Sequence, residues 1–246
     1  MSKYSSITLV LGASSDIGGE IIRSIDDGTS LIFAHYHRNE EKIRKLQSEV
    51  KSKLIPICAD LTQAEEITSL ITQIQAFYPC PDKIIHLPAP KLSFTRFKDV
   101  HWESFQSEID VELKSIVLVL KEFLPLMAKN KYGKIIFMLS SVCCGLPPKA
   151  MTPYTTSKYA LLGLMKSLAV EYADKKITVN AISPSMVETS FLSGVPEKLV
   201  ELTAATHPLK RNAVPQDIAP MVKFLLSHDA DYITGVNIPI AGGSVF

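Results

Sequence analysis

The sequence predicts an α/β fold: a doubly wound parallel sheet of about seven strands with helices on both faces. Three observations predict it. Short apolar runs alternate with amphipathic stretches from one end of the 246 residues to the other. The runs are nearly continuous in apolar residues, as in strands covered on both faces. Strand and helix patterns also take turns without exception, which calls for parallel strands joined by right-handed crossovers. No internal repeat, low-complexity block or linker interrupts the rhythm, so residues 1–246 are expected to form one domain.

In chain order, residues 7–11, 31–34, 54–59, 84–87, 135–139, 177–182 and 236–240 read as strands. Ile17, Ile21 and Ile25 recur at helical spacing after the first strand, and Gly28 is the expected stop. Ile67, Leu70, Ile71 and Ile74 repeat that pattern in the third helix. A long helix is predicted over 102–129, with a bend at Pro125, and another over 152–174. Pro215 suits the first position of the last helix, where its missing N–H is harmless, whereas Pro220 inside that helix should bend it or weaken one hydrogen bond. The segment 185–210 breaks the rhythm at the carboxyl end of the sheet, where open α/β folds bind ligands. It reads as a substrate-covering insertion, the alternative being a long surface loop.

Composition narrows the function. With 26 Lys+Arg against 25 Asp+Glu, the net charge of +1 offers nothing to a polyanion, so a nucleic-acid partner is not expected. No window approaches the roughly 20 apolar residues of a membrane span, and the start lacks the features of a signal peptide. Cys58, Cys80, Cys143 and Cys144 form no CxxC pair, and adjacent Cys143 and Cys144 suit a disulfide badly; free thiols and a cytoplasmic location are expected. Scattered His86, His101, His207 and His228 lack metal-ligand spacing, so no metal site is expected and packing or surface roles suffice.

The first strand runs straight into Gly12-Ala13-Ser14-Ser15-Asp16-Ile17-Gly18 and a helix. Glycines at such a turn let backbone approach a pyrophosphate, and the helix N-terminus supplies N–H donors and the positive end of a dipole. Farther on, Ser141 stands thirteen residues before Tyr154, and Lys158 four after it. A step of four puts Tyr154 and Lys158 on one helix face. An ammonium beside a phenol favours the phenolate and lowers its pKa from about 10 towards the range of an acid/base catalyst.

With these residues in order, the chain resembles the short-chain dehydrogenase/reductase family, and within it bacterial 3-oxoacyl-[acyl carrier protein] reductases. The matching pieces are LGASSDIG, CADL, GKIIFMLSSV, YTTSK, ITVNAISPSMVET and the closing HPLKR…QDIA…FLLS…YITG…IAGG. The resemblance implies a Rossmann-type dinucleotide site and transfer of hydride from a nicotinamide to a ketone. It implies that Ser141 positions the carbonyl, Tyr154 donates or removes the proton, and Lys158 lowers the phenol's pKa and holds the nicotinamide ribose. It places Asp60, with Leu61, at the adenine and Thr189 at the carboxamide and phosphates, with Pro184 also at the cofactor. Val187 and Ile182 are either nicotinamide neighbours or core. The enoyl-reductase branch is disfavoured, because its Tyr and Lys are more widely spaced.

Three positions depart from the family pattern. Glu112 stands where an Asn helps hold a water near the Lys; a carboxylate there would partly neutralise Lys158 and raise the pKa of Tyr154, unless it points outward. Pro88-Ala89-Pro90 replaces Asn-Ala-Gly, removing two N–H donors where backbone should run close to the cofactor. Asp16 replaces the second glycine of the turn, where it suits a helix cap provided its carboxylate points away from phosphate.

The second strand ends in His35-Tyr36-His37-Arg38, without the acid that bonds a ribose 2′-hydroxyl. Arg38 suits a 2′-phosphate, so NADP(H) is favoured over NAD(H), the alternative being a solvated loop charge. By the same resemblance the substrate is a small molecule or an acyl thioester, with acyl carrier protein as a partner whose docking residues would fall near Lys131 and Lys175. Cys143 and Cys144 either face the substrate or sit in the core. A homotetramer or dimer is expected through the two long helices, at Phe123, Leu126, Leu161, Leu164 and Leu168.

Overall fold

The computed structural model describes residues 3–245. Seven strands form one sheet: β1 (Ile7–Leu11), β2 (Leu31–Tyr36), β3 (Lys53–Cys58), β4 (Lys83–His86), β5 (Gly133–Met138), β6 (Ile177–Pro184) and β7 (Asn237–Ile240). Their order is β3-β2-β1-β4-β5-β6-β7, and every pairing is parallel. Each predicted strand is present, with ends moved by one or two residues.

The core has two layers because successive strand residues point to opposite faces. Leu9 and Leu11 of β1 join Phe33, Ile84 and Phe137 beneath α3 (Ala64–Phe77), α5 (Ser115–Asn130) and α6 (Thr152–Glu171). Val10 joins Ile32, Ile85 and Ile136 beneath α1 (Asp16–Ile25), α2 (Glu40–Glu49) and α8 (Pro215–Leu225). Since β1 sends its chain outward to β2 on one side and has β4 on the other, the winding reverses there. A crevice opens at the carboxyl ends of β1 and β4.

Local differences from the expected elements have simple causes. Helix α1 stops at Ile25 because Asp26, two residues before Gly28, turns extended. Gly28 serves the turn after the helix, with φ +73°. The helix predicted over 102–129 runs to Asn130 but in three parts: α4 (Trp102–Glu108), a π-helical turn (Ile109–Lys114) and α5, which contains Pro125. Helix α6 ends at Glu171, and a 3-10 turn covers Ala173–Lys175. Helix α8 starts at Pro215 and continues through Pro220. Within 185–210 lie a 3-10 turn (Ser190–Gly194) and α7 (Glu197–Thr206). Among the described residues no helix is long and apolar enough to cross a membrane, and the four cysteines are free.

Candidate active site

The crevice is a cleft of about 1170 Å³ running from the glycine turn to the insertion. At one end Gly12, with φ +80°, bends the chain out of β1; a Cβ there would meet Leu87 Cβ and Pro88 N at 3.3 Å. Its N–H donates to His35 Nδ1 at 3.0 Å, and His35 Nε2 donates to Ala59 O at 3.0 Å. Burial lowers the His35 pKa to about 4, so the ring is neutral and can accept from Gly12 while bridging the ends of three strands. Ser15 is the cap of α1, accepting from Gly18 N at 3.0 Å.

Gly18 is buried and does not line the cleft. A Cβ on it would lie 2.6 Å from Gly12 O, so its smallness lets α1 pack against the turn. Asp16 is not the cap. Its Oδ1 pairs with Lys42 at 2.7 Å, and its Oδ2 accepts from Ser190 N at 2.6 Å and Ser190 Oγ at 2.7 Å. The carboxylate therefore spans from the glycine turn to the insertion.

Along the cleft wall lie Ser14, Ile17, Arg38, Asp60, Leu61, Pro88, Ala89, Pro184, Val187 and Thr189. Arg38 is exposed and makes no hydrogen bond or ion pair among the described residues. Asp60 is held by Thr62, whose N and Oγ1 donate to Oδ1 at 2.9 and 2.8 Å. Ile182 is fully buried in the core and does not reach the cleft. Cys143 and Cys144 do not line it either; burial pushes the Cys143 thiol up to about 11.

Tyr154 and Lys158 project from the first turns of α6 into the middle of the cleft, with Lys158 Nζ 5.4 Å from the phenol ring centre. The serine whose side chain lowers the phenol's pKa is Ser140, not Ser141. Ser140 follows directly on the extended chain after β5, whereas Ser141 begins a 3-10 turn. Counting thirteen back from Tyr154 passes through the loop 142–151, whose length decides the register, and selects the neighbour of Ser140; both serines line the cleft.

Glu112 does not point outward. Its Oε1 is 3.0 Å from Lys158 Nζ, with the carboxylate completely buried. Lys158 also donates to Met138 O at 3.0 Å, and Ser157 Oγ donates to Glu112 Oε2 at 3.1 Å. Burial would lower the Lys158 pKa, but Glu112 and the phenol outweigh it and hold the ammonium above its usual value. Burial raises the Tyr154 pKa; Lys158 and Ser140 pull it down only in part, and Glu112 and Glu108 push it up again. The net shift is upward, as the charge of Glu112 predicts.

The arrangement can do acid/base chemistry at Tyr154 beside a groove bordered by the glycine turn and the start of α1. A family model described as Enoyl-(Acyl carrier protein) reductase matches residues 12–244. A 3-oxoacyl-[acyl-carrier-protein] reductase FabG of Rickettsia felis is 35% identical over 242 residues, covering 96% of this chain and 95% of its own. Dehydrogenase/reductase SDR family member 4 of Bos taurus is 31% identical, covering 97% and 87%. The chain belongs to the short-chain dehydrogenase/reductase family. The crystal structure of a 3-oxoacyl-[acyl-carrier protein] reductase from Brucella melitensis superposes with a TM-score of 0.87 over 98% of this chain and 92% of that one, at 21% identity, and shares the fold.

In this short-chain dehydrogenase/reductase two buried residues near Glu112 escape sequence reasoning. His86 packs in the core at the end of β4, and its Nε2 donates to the Glu112 carbonyl at 2.7 Å. Glu108 is buried one turn before Glu112, and burial raises its pKa to about 8. The two acids stand four apart in EIDVE, a visible signal, but nothing in the sequence says that face is dry. Lys131 and Lys175 precede β5 and β6, at the end of the sheet opposite the cleft, so they do not stand at its mouth. Phe123 and Leu161 are fully buried in the core, so they offer nothing to a partner subunit; Leu126, Leu164 and Leu168 remain half-buried.

Proposed function

We propose that this enzyme is an NADPH-dependent ketone reductase, with a 3-oxoacyl thioester as its first candidate substrate. The observation that carries this reading is Tyr154, set one helical turn before Lys158 and against Ser140, facing the cleft beside the glycine turn. Bound NADPH would supply the hydride. Gly12, Ser14, Ser15, Ile17 and the α1 N-terminus fit its pyrophosphate, Asp60 and Leu61 its adenine, and Arg38 a 2′-phosphate. Pro88 and Ala89 border the middle of the groove, and Pro184, Val187 and Thr189 its nicotinamide end. Ser140 orients the substrate oxygen, Tyr154 protonates it, and Lys158 stabilises the phenolate that results. The one-turn Tyr154–Lys158 spacing supports a carbonyl rather than an enoyl substrate.

The insertion 185–210 covers the substrate in this reading. His207 Nε2 meets Ala241 O at 3.0 Å and Asn212 Nδ2 donates to Val200 O at 3.1 Å, fixing its far end. Phe94, Leu192, Val195 and Leu199 line the cleft beneath it and suit an acyl chain. An acyl carrier protein is the corresponding partner, and free thiols fit a cytoplasmic setting. We assign a homotetramer or dimer to the α5 and α6 faces, where Val117, Tyr159 and Val170 are exposed.

NADPH oxidation measured with a panel of 3-oxoacyl thioesters and other ketones tests the reading, with Tyr154→Phe as the control. Turnover should fall by orders of magnitude in that variant while NADPH binding persists. Activity retained within a few-fold would refute the assignment. The Glu112–Lys158 ion pair supports a second reading, a cofactor-binding protein with reduced turnover. NADPH binding without oxidation across the whole panel would favour it.

A further inference from the structure

Next to Tyr154, four polar groups, Glu108, Glu112, Ser157 and Lys158, are buried where α4 and the π turn pack on α6, and only Lys158 reaches the cleft. Glu112 Oε1 is 3.0 Å from Lys158 Nζ, and Ser157 Oγ donates to Glu112 Oε2 at 3.1 Å. The same serine acts on the carboxyl of Glu108, whose Oε2 is buried without a hydrogen-bond partner. Glu112 is 0% and Glu108 6% exposed. Glu112 lies within the π turn that begins just after Glu108, a distortion that recurs at functional sites.

Charge balance decides the protonation state. One buried ammonium compensates one buried carboxylate; a second carboxylate without a cation stays neutral, because an unpaired buried charge is too costly. The surrounding groups supply no other cation. From β4, His86 is neutral, its pKa lowered to about 3 by burial. From the turn after β5, the Cys143 thiol stays protonated. From α6, Tyr154 is a neutral phenol and Lys158 is already paired. Asp110, between the acids in sequence, pairs with Lys114 at 3.2 Å on a different, more open face.

We propose that Glu108 and Glu112 are a carboxyl pair that stores one proton at neutral pH and returns it, through Ser157 and Lys158, to Tyr154 after each reduction. The proposal rests on the acid/base reading of Tyr154. The substrate carbon gains hydride from the nicotinamide and its oxygen gains the phenol proton, leaving a phenolate. Lys158 gives a proton to that phenolate and takes up in its place the proton that Glu108 releases, handed on through Ser157 and Glu112. The Ser157 hydroxyl accepts the Glu108 proton as it passes its own to Glu112, and Glu112 delivers that proton to Lys158. Both carboxyls are then briefly ionised, and the cost of that unpaired buried charge draws a proton from solvent back to Glu108. In the oxidative direction the same pair receives the proton. Glu112 and Ser157 are thus positioning and relay groups, and Glu108 is the store.

Infrared difference spectroscopy of the free natural protein reads the stored proton directly. The carbonyl stretch of a protonated carboxyl should be present at pH 7, fade as pH rises through about 8, and vanish in Glu108→Gln. Carbon-13 NMR of labelled glutamate in the natural protein gives the same titration without any variant. Glu108→Gln and Ser157→Ala should leave the first hydride transfer within a few-fold, slow steady-state turnover at least tenfold and enlarge its solvent isotope effect. A protein with no protonated carboxyl at pH 7 overturns the proposal, as does a band that survives Glu108→Gln. So does a steady-state rate unchanged in both variants. Full activity of Tyr154→Phe would instead sink the acid/base reading and leave the infrared band in place, so the two failures are distinguishable.

Discussion

Asp16 Oδ2 accepts hydrogen bonds from both the N–H and the hydroxyl of Ser190, 174 residues away, at 2.6 and 2.7 Å. The contact fastens the insertion to the glycine turn across the cleft, and Lys42 steadies the same carboxylate. Hydrogen bonds to a charged acceptor contribute about 1.5–3 kcal/mol each where they are shielded, less at an exposed site. Asp16→Ala should therefore raise hydrogen exchange at the Ser190 amide roughly tenfold, by the 1.4 kcal/mol-per-decade conversion, and leave the exchange of β1 unchanged. Equal protection at Ser190 in both proteins would show that the insertion is held by His207 and Asn212 alone.

Ser140 and Ser141 make the sharpest pairwise comparison. Ser140 reaches the phenol, so Ser140→Ala should lower kcat by about 10²-fold, in the range of a lost transition-state hydrogen-bond donor. Ser141→Ala should stay within a few-fold. Steady-state kinetics on the two variants decides between them, and the reverse ranking would restore Ser141 to the catalytic position.

Cofactor choice should rest on Arg38. Loss of a charge-assisted contact to a 2′-phosphate is expected to weaken NADPH binding about tenfold or more in Arg38→Ala, with NADH nearly unaffected. Fluorescence titration with both cofactors measures it. Equal losses would show that Arg38 is only a solvated loop charge.

What was legible in the sequence, and what was not, divides along physical lines. The strands were readable because both faces of the sheet are covered, which leaves continuous apolar runs such as 7–11 and 135–139. The glycine turn and the Tyr154–Lys158 step were readable because each depends on near neighbours in sequence. Ser140 was missed because a register counted back from Tyr154 must cross a loop, while one counted along β5 would not. The Glu112 contact and the carboxyl pair were out of reach because they depend on a π turn and on burial against α6. Asp16 suits a helix cap by its local sequence, and its partner Ser190 lies too far along the chain for a local pattern to show it.

Folding stability should pass through a maximum near pH 6.5. His35 and His86 have folded pKa values of about 4 and about 3, against 6.5 when exposed, and Glu108 about 8 against 4.5. Between about pH 4.5 and 6.5 the unfolded chain binds two imidazole protons that the fold excludes, while the carboxyl pair keeps one that the unfolded chain releases. The unfolded state holds more protons, so stability rises with pH. Above 6.5 only the carboxyl proton remains on the balance, and stability falls until about pH 8. At about 1.4 kcal/mol per pH unit the fall is about 2 kcal/mol. Denaturant unfolding across this range should show it, and Glu108→Gln should abolish the alkaline fall while keeping the acid one. A plateau above pH 6.5 in the natural protein would contradict it.

The last prediction concerns the Glu112–Lys158 pair itself. The carboxylate offsets the field that Lys158 exerts on the phenol and, together with burial, holds the Tyr154 pKa above its usual value. Glu112→Gln removes the charge while keeping an oxygen near Lys158 and Ser157. The ammonium then acts undiluted, and the phenol should ionise at lower pH, by about one unit for a charge at this distance. Dehydrogenation needs the phenolate, so the alkaline-rising limb of its pH–rate profile should move to lower pH in the variant. Cofactor affinity should change little, since Glu112 does not line the cleft. Breaking a buried pair from one side also leaves an unmatched ammonium, so the variant should lose about 3 kcal/mol of folding stability. A merely structural role predicts that loss without the shifted limb. Superimposable pH–rate profiles alongside reduced stability would therefore confine Glu112 to holding the fold.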